Sequence, residues 1–217
     1  MRNSMITVVR IYVMMVGEAM SKRALSPLSE HGIRQVMRST LVNLCNVNFD
    51  DAYCTTNPRS TETASIVFQS LSKTRSGPKD GRKADFSPLP GYSGLKGYWK
   101  LVKSITIDGR QPTIDQWNSI PEAIEYTEFV RDRAVDELKF IALDSSEKQR
   151  NSAGNLSVFT TCIESPSIEL AALTVNPRPT IPILREVDII KYVLTVQTIN
   201  DEPEVKLANV CFLSRGF

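Results

Sequence analysis

The stretch Ile11-Tyr12-Val13-Met14-Met15-Val16-Gly17-Glu18-Ala19 decides how the rest of the chain is organised. From Ile6 to Val16 the chain is rich in Val, Ile and Tyr, and only Arg10 brings a charge. A run this apolar, without the alternation of a half-exposed strand, predicts a central strand covered on both faces. Gly17-Glu18-Ala19 ends it. Pro27-Leu28-Ser29 then opens a helix with Ser29 as its N-cap, and Ile33, Val36, Met37, Leu41 and Leu44 recur along it at helical spacing.

The same alternation of strand and helix continues outward. Asp51-Ala52-Tyr53-Cys54-Thr55 is a second short strand, followed by a helix from about Arg59 to Leu71 with Ala64, Val67, Phe68 and Leu71 on one face. Ser72 to Pro90 holds Gly, Pro, Ser and many charges and is expected to be a loop, with a flexible basic excursion at about 72–87. Pro121 to Leu143 is the longest helical segment, its buried face marked by Ala123, Tyr126, Val130, Ala134, Leu138 and Ile141. Leu156 to Ile163 is another central strand and Ser167 to Val175 a short helix. Ile189–Ile199 and Val205–Ser214 flank Asn200-Asp201-Glu202-Pro203-Glu204 as a terminal hairpin. This order predicts a three-layer α/β/α sandwich around a mostly parallel sheet, with residues 1–217 as one domain.

Composition narrows the function classes. With 41% hydrophobic and 23% charged residues the chain can bury an ordinary core. A net charge of +2 is too balanced to call for nucleic acid. Lys73, Arg75, Lys79, Arg82 and Lys83 cluster, and a solvated loop is preferred over a phosphate or RNA patch. Cys45, Cys54, Cys162 and Cys211 are widely spaced with no CxxC, so no metal site is expected. They are expected to be free thiols, with Cys54, Cys162 and Cys211 buried in strand-like runs. No apolar run reaches the ~18 residues of a membrane span, and the N-terminus lacks the form of a signal peptide. A cytoplasmic protein without a cofactor is expected. Gly91, Gly94 and Gly97 lie close together, but no Gly-Lys-Ser/Thr follows, and HExxH, calcium-loop and GxGxxG motifs are missing.

Three stretches together resemble the histidine phosphatase (phosphoglycerate mutase-like) superfamily. Met15-Val16-Gly17-Glu18 is similar to its Arg-His-Gly-Glu motif, with Gly17 and Glu18 matching. Leu28-Ser29-Glu30-His31-Gly32-Ile33-Arg34-Gln35 is similar to Leu-Thr-x-x-Gly-x-x-Gln, with Leu28, Gly32 and Gln35 matching. Arg59-Ser60-Thr61-Glu62-Thr63-Ala64 is similar to Arg-Ala-x-x-Thr-Ala, with Arg59, Thr63 and Ala64 matching. A fourth, weaker match runs from Val158 to Ile163 into Glu164-Ser165, where the family would carry its second catalytic histidine. The resemblance implies a phosphoglycerate mutase-like fold.

The resemblance also implies a degenerate catalytic centre. Met15 stands at the position of the family's arginine, Val16 at that of its nucleophilic histidine, and Glu164 or Ser165 at that of the second histidine. The family's reaction passes a phosphoryl group through an imidazole nitrogen, which requires a lone pair in line with phosphorus and cations around the equatorial oxygens. Valine has no lone pair, and methionine cannot form the bidentate phosphate contact of a guanidinium. The candidate for the family's acid stretch, Pro88 to Leu95, has no carboxylate. His31, the only histidine, is expected to be a surface or cap-adjacent residue.

Three functions follow. A pseudoenzyme serving as an interaction module, with another protein or a second copy as partner, is preferred. A module binding a small anionic ligand through Arg59, with Glu18 and Thr55, is the alternative. An enzyme using carboxylates such as Glu18 and Glu164 is the third.

Overall fold

The computed structural model describes residues 6–21, 26–54, 57–74, 87–88, 121–149, 154–162, 186–200 and 202–214. The element order is β1 (Thr7–Met15), α1 (Glu30–Asn43), β2 (Asp51–Cys54), α2 (Pro58–Thr74), β3 (Ser87–Pro88), α3 (Pro121–Lys148), β4 (Asn155–Cys162), β5 (Ile189–Ile199) and β6 (Glu202–Ser214). They form one mixed sheet of order β3-β2-β4-β1-β5-β6. β1, β2, β3 and β4 are parallel, β5 runs antiparallel to β1, and β6 antiparallel to β5. The C-terminal ends of β1, β4 and β2 therefore lie side by side at one edge of the sheet.

β1 is the centre of this arrangement, as its composition requires. It pairs with β4 on one side, from Val8↔Asn155 to Met15↔Cys162, and with β5 on the other, from Thr7↔Val196 to Met14↔Ile189. Its side chains alternate between two cores. Val9, Ile11, Val13 and Met15 join Leu138, Ile141 and Ala142 of α3. Tyr12 and Met14 join Val36 of α1 and Ala64, Val67 and Leu71 of α2. The sheet is thus sandwiched between α3 on one face and α1 with α2 on the other. Phe49 anchors the second core edge-on to Tyr12, Phe68 and Phe159, with ring centroids 5.5–5.8 Å apart.

Local chemistry sets the helix boundaries. Ser29 caps α1, its hydroxyl accepting from the Gly32 N–H at 2.9 Å. Asn57 caps α2, its side chain accepting from the Arg59 N–H at 3.0 Å, and Pro58 takes the first helical position, where its missing N–H costs nothing. The hairpin turns at Asn200, whose φ of 53° is a left-handed conformation that asparagine tolerates.

The structure corrects several boundaries. α2 runs to Thr74, so Ser72, Lys73 and Thr74 are helical, and Ser87-Pro88 is a strand paired with Tyr53 and Cys54. Two residues are too short for any periodic signal, and Pro88 argues against a strand in sequence. α3 extends to Lys148, five residues past Leu143. Met37 and Leu41 lie on the exposed flank of α1 rather than in its core. Cys211 is only partly buried, because β6 is an outer strand among the described residues. Most of the basic excursion, Gly91 to Gly97 and the helix expected at Ser167–Val175 lie outside the described residues. No described helix is long and apolar enough to cross a membrane.

Candidate functional site

Ligands of open α/β sheets sit beyond the C-terminal ends of the parallel strands, where helix N-termini also converge. Here that edge carries the end of β1, the first turns of α1 and α2, and the end of β4. Met15 and Val16 are 6% and 5% exposed, so both are sealed by protein. Met15 belongs to the α3-side core.

Beyond Met15 the chain passes close against α1, and glycine makes the approach possible. A Cβ on Gly17 would lie 2.9 Å from the Gly32 carbonyl oxygen and from Val36 Cγ2. A Cβ on Gly32 would lie 2.2 Å from the Glu18 carbonyl oxygen. The end of β1 and the first turn of α1 are therefore in backbone contact. The Ser29 N–H donates to the Glu18 carbonyl at 2.9 Å, and the Glu18 N–H reaches Gln35 Oε1 at 3.4 Å.

α2 grips the same segment from the other side. The Gly17 N–H reaches Thr63 Oγ1 at 3.4 Å, and the Leu28 N–H donates to Glu62 Oε2 at 2.8 Å. Between these points the chain is pinched by the Ala19–Leu28 bridge and by the Met20 N–H on the Pro27 carbonyl at 2.9 Å. So Gly17, Gly32, Gln35 and Thr63 are joined by contacts that hold two helix starts to one strand end.

Arg59 sits in the first turn of α2. Its Nε is buried and has no hydrogen-bond partner among the described residues. The hydroxyls of Thr160 and Thr161, near the end of β4, are in the same state. Each is unusual, since buried polar groups are nearly always paired, and the two threonines, consecutive in β4, serve opposite faces of the sheet. Cys54 ends β2; burial pushes its thiol pKa up, and a hydrogen bond with Thr61 only partly offsets this. A thiol so held is a poor nucleophile. Cys54 faces the α1/α2 core.

Glu18 is placed at the surface by a contact with α1. Its side chain faces His31, with Oε2 3.8 Å from Nε2, and the two side chains are 47% and 62% exposed. His31 is thus a surface residue of the first turn of α1. Thr55, Glu164 and Ser165 lie outside the described residues. Among the described residues, no cluster of His, Cys, Asp or Glu could hold a metal ion.

Sequence reasoning missed a polar cluster at the opposite end of β2. The buried Tyr53 hydroxyl lies 2.5 Å from Asp144, 2.9 Å from Asp51 and 3.0 Å from Ser145, and Lys148 Nζ is 2.7 Å from Asp144 and 3.3 Å from Asp51. Burial, then the Asp144 hydrogen bond, pushes the Tyr53 pKa far up. Burial alone would raise Asp144, but hydrogen bonds from Lys148 and Tyr53 outweigh it and hold the carboxyl down. The i,i+2 pair Asp51/Tyr53 and the i,i+4 pair Asp144/Lys148 were visible, but not that they meet.

No protein-family model matches the sequence, and no curated protein is similar to it. Solved structures are similar in shape. A phosphoglycerate mutase from Bacillus anthracis superposes with a TM-score of 0.57 at 19% identity, over 93% of this chain and 93% of that one. A mycobacterial glucosyl-3-phosphoglycerate phosphatase gives 0.48 at 12% identity over 91% and 96% of the two chains. A phosphoserine phosphatase from Entamoeba histolytica gives 0.41 at 16% over 95% and 97%. On the first of these likenesses, the chain has a phosphoglycerate mutase-like fold.

Proposed function

We propose that this protein uses the histidine phosphatase fold as a non-catalytic protein-interaction module and does not transfer phosphoryl groups. The observation that carries the reading is Val16, buried at the end of β1 where the family resemblance puts the nucleophilic histidine. A valine cannot attack phosphorus, and losing a nucleophile costs several orders of magnitude in rate. His31 is no substitute, because it projects from α1 toward Glu18 at the surface. Meanwhile Gly17, Gly32, Gln35 and Thr63 still hold the loop geometry together. The partner in this reading is another protein or a second copy. Met37 and Leu41, one turn apart on α1 and 37% and 41% exposed, offer apolar surface of the kind a protein partner covers.

A second reading, a small-anion module, rests on one atom. Arg59 Nε is buried and unpaired among the described residues, in the first turn of a 17-residue helix. A phosphate or carboxylate would satisfy it and gain from the helix N-terminus.

Thermal unfolding with and without millimolar vanadate, phosphate and phosphorylated metabolites separates the two. Binding to the native state raises the midpoint by mass action. A rise that vanishes in Arg59→Ala selects the anion module. No rise leaves the protein-interaction reading, and turnover of any of these phosphate esters would overturn both.

A further inference from the structure

We propose that the turn leading into β5 is a strained latch that fixes the C-terminal end of β1. Val187 has φ of 59°, a left-handed conformation that β-branched residues rarely adopt. It is also only 5% exposed, part of the core that includes Leu28, Val36 and Ile189. A conformation this unfavourable persists only where its surroundings over-determine it.

Two hydrogen bonds do so. The Ser39 hydroxyl of α1, itself buried, donates to the Val187 carbonyl at 3.0 Å across 148 residues of sequence. The next carbonyl, of Asp188, accepts from the Met15 N–H at 2.9 Å. That second bond lies just past the Met14↔Ile189 pair, the last of the β1–β5 ladder. It is the tie that carries the ladder to the final residue of β1, directly before Val16 and Gly17. Ser39 thus holds Val187 in the left-handed state, and Val187 in that state aims the Asp188 carbonyl at Met15. α1, β5 and the floor of the candidate site are coupled through one strained residue. The inference concerns the fold of the site and stands whether the site binds an anion or nothing.

The coupling is readable by amide hydrogen exchange at Met15, normalised to Ile11 in the middle of β1. Ser39→Ala is expected to speed Met15 exchange roughly tenfold, the effect of losing a hydrogen bond to a buried acceptor. In a Val187→Gly background, where the left-handed conformation needs no support, the same substitution is expected to change it less than about twofold. An equal effect in both backgrounds overturns the latch and leaves an ordinary side-chain hydrogen bond. Should Ser39→Ala fail to fold, Val187→Asn decides the matter. Asparagine tolerates the left-handed region, so normalised Met15 exchange should slow, and faster exchange contradicts the proposal.

Discussion

The α-carbon of Gly32 stands against the backbone of Glu18 so closely that a Cβ at residue 32 would lie 2.2 Å from the Glu18 carbonyl oxygen. Backbone on both sides cannot move aside as a flexible side chain would. Gly32→Ala should therefore destabilise by about 3 kcal/mol or more, despite the ~1 kcal/mol alanine gains in a helix. Gly17→Ala should cost less, because one of its two closest contacts, Val36 Cγ2, is a side chain. Denaturant titration of both variants checks the order.

Met15 belongs to the α3-side core together with Ile11, Val13 and Leu138. Arginine there would place a charge in that core, where buried Asp188, whose carbonyl accepts from the Met15 N–H, is the acid opposite it. Met15→Arg should lose stability, by up to about 3–5 kcal/mol, the penalty of a buried charge left uncompensated. Met15→Arg combined with Val16→His, which gives this stretch the motif it resembles, is accordingly expected to unfold the chain before it yields turnover, as circular dichroism and a phosphatase assay would show together.

The Tyr53 cluster ties β2 to the last turns of α3 by side chains alone. Tyr53→Phe leaves Asp51, Asp144 and Ser145 short of a partner and should cost about 1–2 kcal/mol. Its pH behaviour has a definite sign. The lowered Asp144 pKa means stability that is present above the unfolded carboxyl pKa and fades as pH falls through the folded one. The raised Tyr53 and Lys148 pKa values mean stability that is full below their unfolded values and is lost as pH rises past them. Asp144→Asn should therefore approach wild-type stability in acid and fall furthest behind near neutrality, measured by urea midpoints across pH.

Arg59 supplies a prediction of opposite sign. Its Nε is desolvated with no described acceptor, so Arg59→Met removes an uncompensated polar group while keeping the stem. Without added anions the variant should melt at or above the wild-type temperature. If it melts several degrees lower, Arg59 is a structural contact rather than an empty ligand position.

The parts of this architecture that were legible in sequence are those with long periodic signals. β1, α1 and the β5–β6 hairpin follow from unbroken apolar runs, the Ser29 cap and the turn residues between the last two strands. What was not legible depends on contacts between distant residues. Ser87-Pro88 becomes a strand only because β2 lies beside it, and Met37 is exposed because the core takes Val36 and Thr40 instead. At the site, the spacing of Gly17, Gly32 and Thr63 pointed to a retained loop, and the close approaches among them supply its physical reason. The orphaned Thr160 and Thr161 hydroxyls left no trace in sequence, since threonine is common in any strand.

If the protein binds without turnover, its one histidine, His31, takes up no phosphoryl group. The direct measurement incubates the purified protein with a panel of phosphomonoesters and follows both phosphate release and the intact mass. No release above buffer and no phosphoryl adduct are expected. A phosphoryl adduct on His31, or turnover that disappears in Arg59→Ala, would contradict binding without turnover.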